Sequence, residues 1–436
     1  MKLKIKRTLF VWVVCASATT ATNATTANAQ DIHDYLPLKW TAEIGQVSYR
    51  TLPAMTNGRL FVGSNGNYFR DFRLEDAGGV YVLDAATGRQ VGKIGDESWG
   101  DLDVNGVVAH NGKVYFGNDN EEFLCYDGGT LEPVWRLPVS CDVEHAPSLV
   151  RFPGGRTVVV FATECGEVRA VNPADGATVW VHYADDFAGW KPGKTRFVYR
   201  VAAATWRSPW IYFAPPAEVE VDGDGVVDLV YSRTGGQTVA LSGLTGATLF
   251  AIDSDASALS TPLILSSPQG PVLLTVSASG RVRRFLLPSG RELPSATLPV
   301  DYVTLPRSPV PGNDRFLLVD HEEKLLRLQA VEPVVTELAF RDRPRFDAWT
   351  TFVGHETIDW RGEEAFMRIV EYDRVRESAV LAVNSVATQQ PLATFTLTNT
   401  TESMPHLLDV DGDGRLELLY GSTDGVLYCH EIPQQQ

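Results

Sequence analysis

The chain has 436 residues, 44% of them hydrophobic, with 37 glycines, 25 prolines, five cysteines and a formal net charge of −16. An acidic balance of this size disfavours nucleic acid and anionic membrane surfaces as partners, and it suits a protein that holds cations. The length allows two or three ordinary domains or one large closed all-β domain, and internal repeats decide between these.

In chain order, Lys2, Lys4, Lys6 and Arg7 precede the apolar stretch "TLFVWVVCASA" and a small-residue region ending "ANA" at Ala29. That order predicts a signal peptide over 1–29 and export, to the periplasm or beyond the cell, because the apolar core is too short for a stable membrane span. Loss of these four cations, with no acidic residue among the 29, leaves a formal charge of −20 on residues 30–436. Val14 before Cys15 is bulkier than a lipoprotein signal prefers, and no later segment approaches a transmembrane run.

From Val80 onward one pattern recurs: an alternating apolar strand, a turn with "TG" or an equivalent, then a strand with an aromatic residue. It reads "VYVLDAATGRQVGKI" from Val80, "FLCYDGGTLEPVWRL" from Phe123, "VRAVNPADGATVWVH" from Val168 and "TVALSGLTGATLFAI" from Thr238. Weaker copies begin at Val282 and Val380. The turn-opening residues are Asp84, Asp127, Asn172, Ser242, Pro288, a degenerate copy near Gln329, Asn384 and His430. These mark eight units of roughly 46 residues, one of them carrying an insertion. Strand-only repeats of this period predict an all-β, eight-bladed β-propeller of four-stranded antiparallel blades, one domain over 30–436. An open array of hairpins and a sandwich are the alternatives.

The strand-D aromatic falls eight residues after the marker in Trp135, Trp180 and Phe250. In the last unit that position lies beyond Gln436, so the missing strand must come from elsewhere. "LKWTAEIG", with Trp40, has the right pattern and predicts that the N-terminal strand closes the last blade, leaving no open edge there.

These repeats resemble the PQQ-like β-propeller family, found in quinoprotein dehydrogenases and in the lipoprotein of the outer-membrane β-barrel assembly machine. The shared motif, roughly "V-x-x-L-D-x-x-T-G-x-x-x-W", concerns blade packing rather than chemistry. The resemblance implies two readings. One is a binding scaffold; the other is an oxidoreductase carrying pyrroloquinoline quinone. An adjacent Cys-Cys pair characterises the dehydrogenases and is missing from this sequence, which argues against PQQ.

Two acidic loops share one spacing. "EVDGDGVVD" places Glu220, Asp222, Asp224 and Asp228 at positions 1, 3, 5 and 9; "DVDGDGRLE" places Asp409, Asp411, Asp413 and Glu417 likewise. Alternate carboxylates in a tight glycine-bearing turn converge their oxygens, which suits Ca²⁺ as a structural ion. Position 12 is Tyr231 or Tyr420 instead of the glutamate an EF-hand needs. The loops resemble the calcium-binding turns of FG-GAP propeller repeats, as in integrin α-subunits, where the turn joins strands A and B. A solvated acidic turn without metal is the alternative.

Insertions at 66–78 and 184–207 mix aromatic and basic residues: Arg70 and Arg73 in the first, and Trp190, Lys194, Arg196, Tyr199, Arg200 and Trp206 in the second. Elaborated loops on a rigid scaffold concentrate binding, so these residues are the expected contacts for a protein, peptide or glycan ligand, with a plug over the channel as the alternative. A calcium-dependent polysaccharide lyase or hydrolase would use the same cations. Cys141 and Cys165 fall in connections on one face of one blade and are expected to pair in an exported protein, whereas Cys125 and Cys429 lie within C strands and are expected to be buried thiols. Glu144 and His145 form the nearest approach to an acid–base pair, and no zinc spacing, nucleophile elbow or P-loop accompanies them. The leading expectation is a calcium-stabilised, non-catalytic binding scaffold.

Overall fold

The computed structural model describes residues 30–66, 78–95, 103–185, 211–212, 214–233, 236–254, 261–265, 267–276, 281–287, 289–297, 303–304, 315–320, 325–329, 335–338, 352–373, 378–388 and 390–433. The expected insertion contacts Arg70, Arg73, Trp190, Lys194, Arg196, Tyr199, Arg200 and Trp206 lie outside them.

The chain folds into consecutive up-and-down antiparallel sheets, with strands A to D in sequence order in all but the last blade. The first comprises Ala54–Thr56, Arg59–Ser64, Gly79–Asp84 and Gln90–Ile94, and the second Val107–His110, Lys113–Asn118, Glu122–Asp127 and Pro133–Pro138. The third runs Ser148–Arg151, Thr157–Ala162, Glu167–Val171, Thr178–Tyr183, and the fourth Ala217–Val219, Asp228–Arg233, Gln237–Leu241, Thr248–Asp253. Further sheets start at Leu263–Leu265 and Val303–Thr304, the latter containing the degenerate repeat near Gln329. In the last blade, Leu38–Glu43 pairs antiparallel with Val426–Glu431, Trp40 opposite Cys429, beside Glu417–Gly421 and His406–Leu408. The N-terminal strand therefore supplies the outer strand of the blade that ends the chain.

The expectation of eight four-stranded antiparallel blades is corrected. Among the described residues seven sheets have that form, not eight; the remaining one, built on Phe352–Trp360, Glu363–Asp373, Ser378–Ser385 and Pro391–Thr396, has five strands because Gln30–Asp31 adds to its outer edge in parallel, Gln30 opposite Phe395. The cause is local. The short helix Ile32–Tyr35 follows that strand, and Ile32 and Leu36 are wholly buried in a cluster with Met367, Leu381, Phe395, Leu407 and Leu418. Burying these two side chains holds the preceding backbone against the sheet edge before the chain crosses to the next blade.

Blade faces are covered by neighbouring blades, so inner strands read as continuous apolar runs and outer strands as alternating ones. Strand B of the third blade, "TVVVFA", is buried in every residue but the first, whereas strand D of the second, "PVWRLP", is half-exposed or exposed throughout. A repeated staple joins blade to blade. Each D-strand tryptophan donates its indole N–H to a carbonyl in the next blade's C–D turn: Trp40 Nε1 to Ala85 O at 3.1 Å, Trp135 Nε1 to Pro173 O at 3.3 Å, and Trp180 Nε1 to Gly243 O at 3.1 Å. The ring then lies where a side chain on the turn's glycine would sit, beneath Gly88, Gly176 and Gly246 in turn. Gly88 and Gly246 also have φ of +69° and +71°, so both backbone and space require glycine. This accounts physically for the "TG…W" pattern: glycine and tryptophan of different repeats are contact partners.

Candidate functional site

Both acidic loops join strands A and B, one between Ala217–Val219 and Asp228–Arg233, the other between His406–Leu408 and Glu417–Gly421. Glycines at positive φ turn each loop, Gly223 and Gly225 in one and Gly412 and Gly414 in the other. In each, three of the four expected carboxylates converge. Glu220, Asp222 and Asp228 bring one oxygen apiece within 4.8 Å of one another, as do Asp409, Asp411 and Glu417. Asp224 and Asp413 are absent from these groups. Their carboxylates instead accept the backbone N–H two residues on, from Val226 at 2.7 Å and Arg415 at 2.8 Å.

The innermost carboxylate anchors each loop. Asp228 is fully buried and accepts from Val221 N at 2.8 Å and Gly243 N at 3.1 Å, tying the loop to its own blade's C–D turn. Burial raises its pKa, and nearby Asp222 adds to this. Among the described residues no lysine or arginine pairs with Glu220, Asp222 or Asp228. Clustered hard anionic oxygens with a buried member and no counter-charge suit a hard divalent cation.

The second loop differs. Glu417 accepts from Val410 N at 2.9 Å, and Asp409 accepts from Gly412 N at 2.7 Å and Gly414 N at 2.9 Å. Lys39, from the closing strand, enters the cluster: its Nζ lies 2.6 Å from Asp411 Oδ2, 3.2 Å from Glu417 Oε1 and 3.8 Å from Glu431 Oε1. The Asp411 hydrogen bond raises the ammonium pKa further, against the lowering effect of burial, and the same bond lowers the Asp411 pKa. A carboxylate set already sharing an ammonium does not fit a divalent ion as the first set does.

On another part of the ring, three successive D–A connections converge. Arg50, before the first blade, forms an ion pair with Glu144, before the third; Asn105, between them, donates from Nδ2 to Glu144 Oε2 at 3.1 Å and accepts from Ser48 Oγ at 2.8 Å. Glu144 is thus engaged by a guanidinium and an amide. His145 is 1% exposed, with Nδ1 against Ala146 O at 2.9 Å, and burial pushes its imidazole down to about 4. Sequence reasoning found Glu144 and His145 but missed Arg50 and Asn105, which come from other repeats at 94 and 39 residues' separation from Glu144. Their only common signal is position after strand D.

The His145 arrangement has a pH consequence. A histidine held below its unfolded pKa of 6.5 contributes stability that is complete above that value and is lost as pH falls toward about 4. Acidification through this window is expected to cost roughly 3 kcal/mol at this one group. Chemical denaturation at a series of pH values checks it: His145→Phe should flatten the acid limb, and an unchanged slope would refute the assignment.

Cys141 and Cys165 form a disulfide with Cα atoms 6.0 Å apart and both residues wholly buried. Cys125 and Cys429 are buried free thiols, with burial raising both pKa values, that of Cys125 to about 11. No helix among the described residues is long and apolar enough to cross a membrane.

A family model described as outer membrane protein assembly factor BamB matches residues 76–199. Among solved structures, BamB from Moraxella catarrhalis is similar over 91% of this chain and 99% of its own, at 13% identity and a TM-score of 0.52. Quinohemoprotein alcohol dehydrogenase from Comamonas testosteroni is similar over 92% of this chain and 77% of its own, at 14% identity and a TM-score of 0.59. Saccharomyces cerevisiae Sqt1 is similar over 92% of this chain and 100% of its own, at 12% identity and a TM-score of 0.59. No curated protein matches the sequence. At such identities the structural likeness shows the fold, and together with the family match it supports a PQQ-like β-propeller.

Proposed function

We propose that this chain is an exported, calcium-stabilised propeller that acts as a scaffold for a protein or peptide partner, bound at the connections around the D–A side of the ring. The observation that carries the reading is the Arg50–Glu144–Asn105 cluster. It fastens three D–A connections together and commits Glu144, the acidic member of the candidate acid–base pair, to structural bonds, which makes a rigid platform. The family match over 76–199, to an assembly factor by description, points the same way. The sequence that follows the third blade's D strand, Thr178–Tyr183, carries the aromatic and basic residues expected to make contacts.

Capture of an outer-membrane or other exported protein by the full chain, lost when 186–207 is replaced by a short glycine-serine linker, is the supporting result. Quinone-dependent dye reduction by the purified protein would overturn the scaffold reading in favour of an oxidoreductase. Cleavage of acidic polysaccharide that disappears in Arg196 or Tyr199 variants would overturn it in favour of a lyase.

Calcium is assigned here to the loop of Glu220, Asp222 and Asp228, whose spacing resembles FG-GAP turns and whose buried Asp228 gains a counter-charge on ion binding. At free Ca²⁺ a hundredfold above its dissociation constant, the ion is expected to stabilise the fold by about 3 kcal/mol. Chelation should therefore lower Tm in the wild type and leave Asp222→Ala unaffected. Melting indifferent to chelator in both proteins would sink the assignment.

A further inference from the structure

The two acidic loops have the same carboxylate spacing, yet a lysine stands in only one of them. Register explains where that lysine comes from. Strand D carries a bulge against strand C in several blades, and one residue falls into the gap between paired neighbours: Val91 between Gln90 and Gly92, Val134 between Pro133 and Trp135, Val179 between Thr178 and Trp180, Leu249 between Thr248 and Phe250, and Leu392 between Pro391 and Ala393. In the last blade the same position, between Leu38 and Trp40, is Lys39. An aliphatic residue at five equivalent bulges shows what blade packing alone asks for. The exception falls in one of the two blades that carry an acidic A–B turn.

The blade of Glu220 provides the control within the molecule. Its bulge residue is Leu249, which packs against the apolar cluster that holds Val221, Val230 and Ala240 and offers no charge to its acidic loop. In the last blade the Lys39 side chain is 14% exposed and its ammonium lies against Asp411 Oδ2 and Glu417 Oε1, oxygens of two of the three carboxylates that converge there.

We propose that Lys39 is a tethered cation that occupies the Asp409 loop in place of a metal, so that the closing strand itself supplies the charge this cage requires and only the Glu220 loop is left open to calcium. The inference rests on the cation-cage reading of the loop spacing and adds the residue that decides between the cages. A divalent ion entering the Asp409 loop has to displace a positive charge from two of its carboxylates, whereas the ammonium is covalently attached to the strand it locks and costs no association entropy. Ring closure at this point then stays independent of the calcium supply.

Calcium titration calorimetry on the full-length chain tests this with Ca²⁺ alone as the probe. The wild type is expected to bind no Ca²⁺ that Asp411→Ala removes. Lys39→Leu, which copies the residue of the other blade, should gain about one equivalent, and the double variant with Asp411→Ala should lose it again. Lys39→Gln keeps most of the side chain without its charge and should gain the same equivalent, so a folding defect in the leucine variant does not obscure the result. A wild-type equivalent that Asp411→Ala abolishes, or no gain in either Lys39 variant, overturns the proposal. The Glu220 loop is read separately through Asp222→Ala, so its failure to bind calcium is distinguishable from failure here.

Discussion

Trp40→Ala is expected to lower the free energy of unfolding by about 3–5 kcal/mol, the cost of truncating a buried tryptophan. Trp40 is 7% exposed and lies in a cluster with Leu60, Leu83, Val410, Leu419 and Leu427, drawn from both the first and the last blade. Truncation removes that contact, leaves Ala85 O without its indole donor and opens space beneath Gly88. Loss of the donor adds to the cavity cost because the carbonyl is then less well satisfied. Like the other staples, this one joins consecutive segments, 45 residues apart, but its strand is paired with Val426–Glu431 and its ring also packs in the cluster that holds Val410, Leu419 and Leu427, so Trp40 bridges the two ends of the chain. Its loss should therefore decouple the N-terminal strand and raise hydrogen exchange in Leu38–Glu43 and Val426–Glu431 before other strands. Leu38→Ala on the same strand, where the side chain is 45% exposed, is the comparison. Equal effects of the two variants in urea unfolding would show that Trp40 does not close the ring.

Closure was legible because the repeat has a fixed interval between turn and aromatic residue. A missing tryptophan at one end and a surplus one at the other identify each other without any structure. The five-stranded sheet was not legible: Gln30–Asp31 is two residues long and pairs in parallel, so it has no periodicity to recognise, and only the burial of Ile32 and Leu36 fixes it. The acidic loops were readable as loops, since "DGDG" dictates a tight turn, but sequence spacing treats all four carboxylates alike. Asp224 and Asp413 bond to the backbone N–H two residues on, the ordinary behaviour of aspartate in turns, but Asp222 and Asp411 do the same and still converge, so neither spacing nor this local bond separates the two pairs. Lys39 carried a signal that the motif concealed. Aligned on tryptophan, "LKW" stands beside "PVW" and "TVW", and the lysine is the odd member; recognising what it faces required the A–B turn of a segment 372 residues away. Arg50 and Asn105 illustrate the same limit, because residues that converge from successive D–A connections share neither spacing nor type.

The second large effect concerns Cys141–Cys165, which encloses strand A, strand B and the connections on either side within a loop of 24 residues. Restricting a loop of this length in the unfolded chain stabilises the fold by about 3.5 kcal/mol on the chain-entropy account. The bridge begins in the same D–A connection that supplies Glu144 and His145, and its other end lies in the B–C turn, where Ala184 N bonds to Gly166 O at 2.8 Å and Ile211 N bonds to Glu164 O. It therefore holds the bases of the connections on the platform side as well as the blade. The Cys141→Ser/Cys165→Ser double variant is expected to unfold at lower urea with little change in the slope, and the Arg50–Glu144 pair should become easier to break: the additional cost of Glu144→Gln should shrink in that background, because the connection is already loosened. A reductant should reproduce the loss only after partial unfolding, since both sulfurs are buried. Full stability retained in the double serine variant would mean that the blade's packing alone sets this region's order, and the coupling to Glu144 would then have to be absent too.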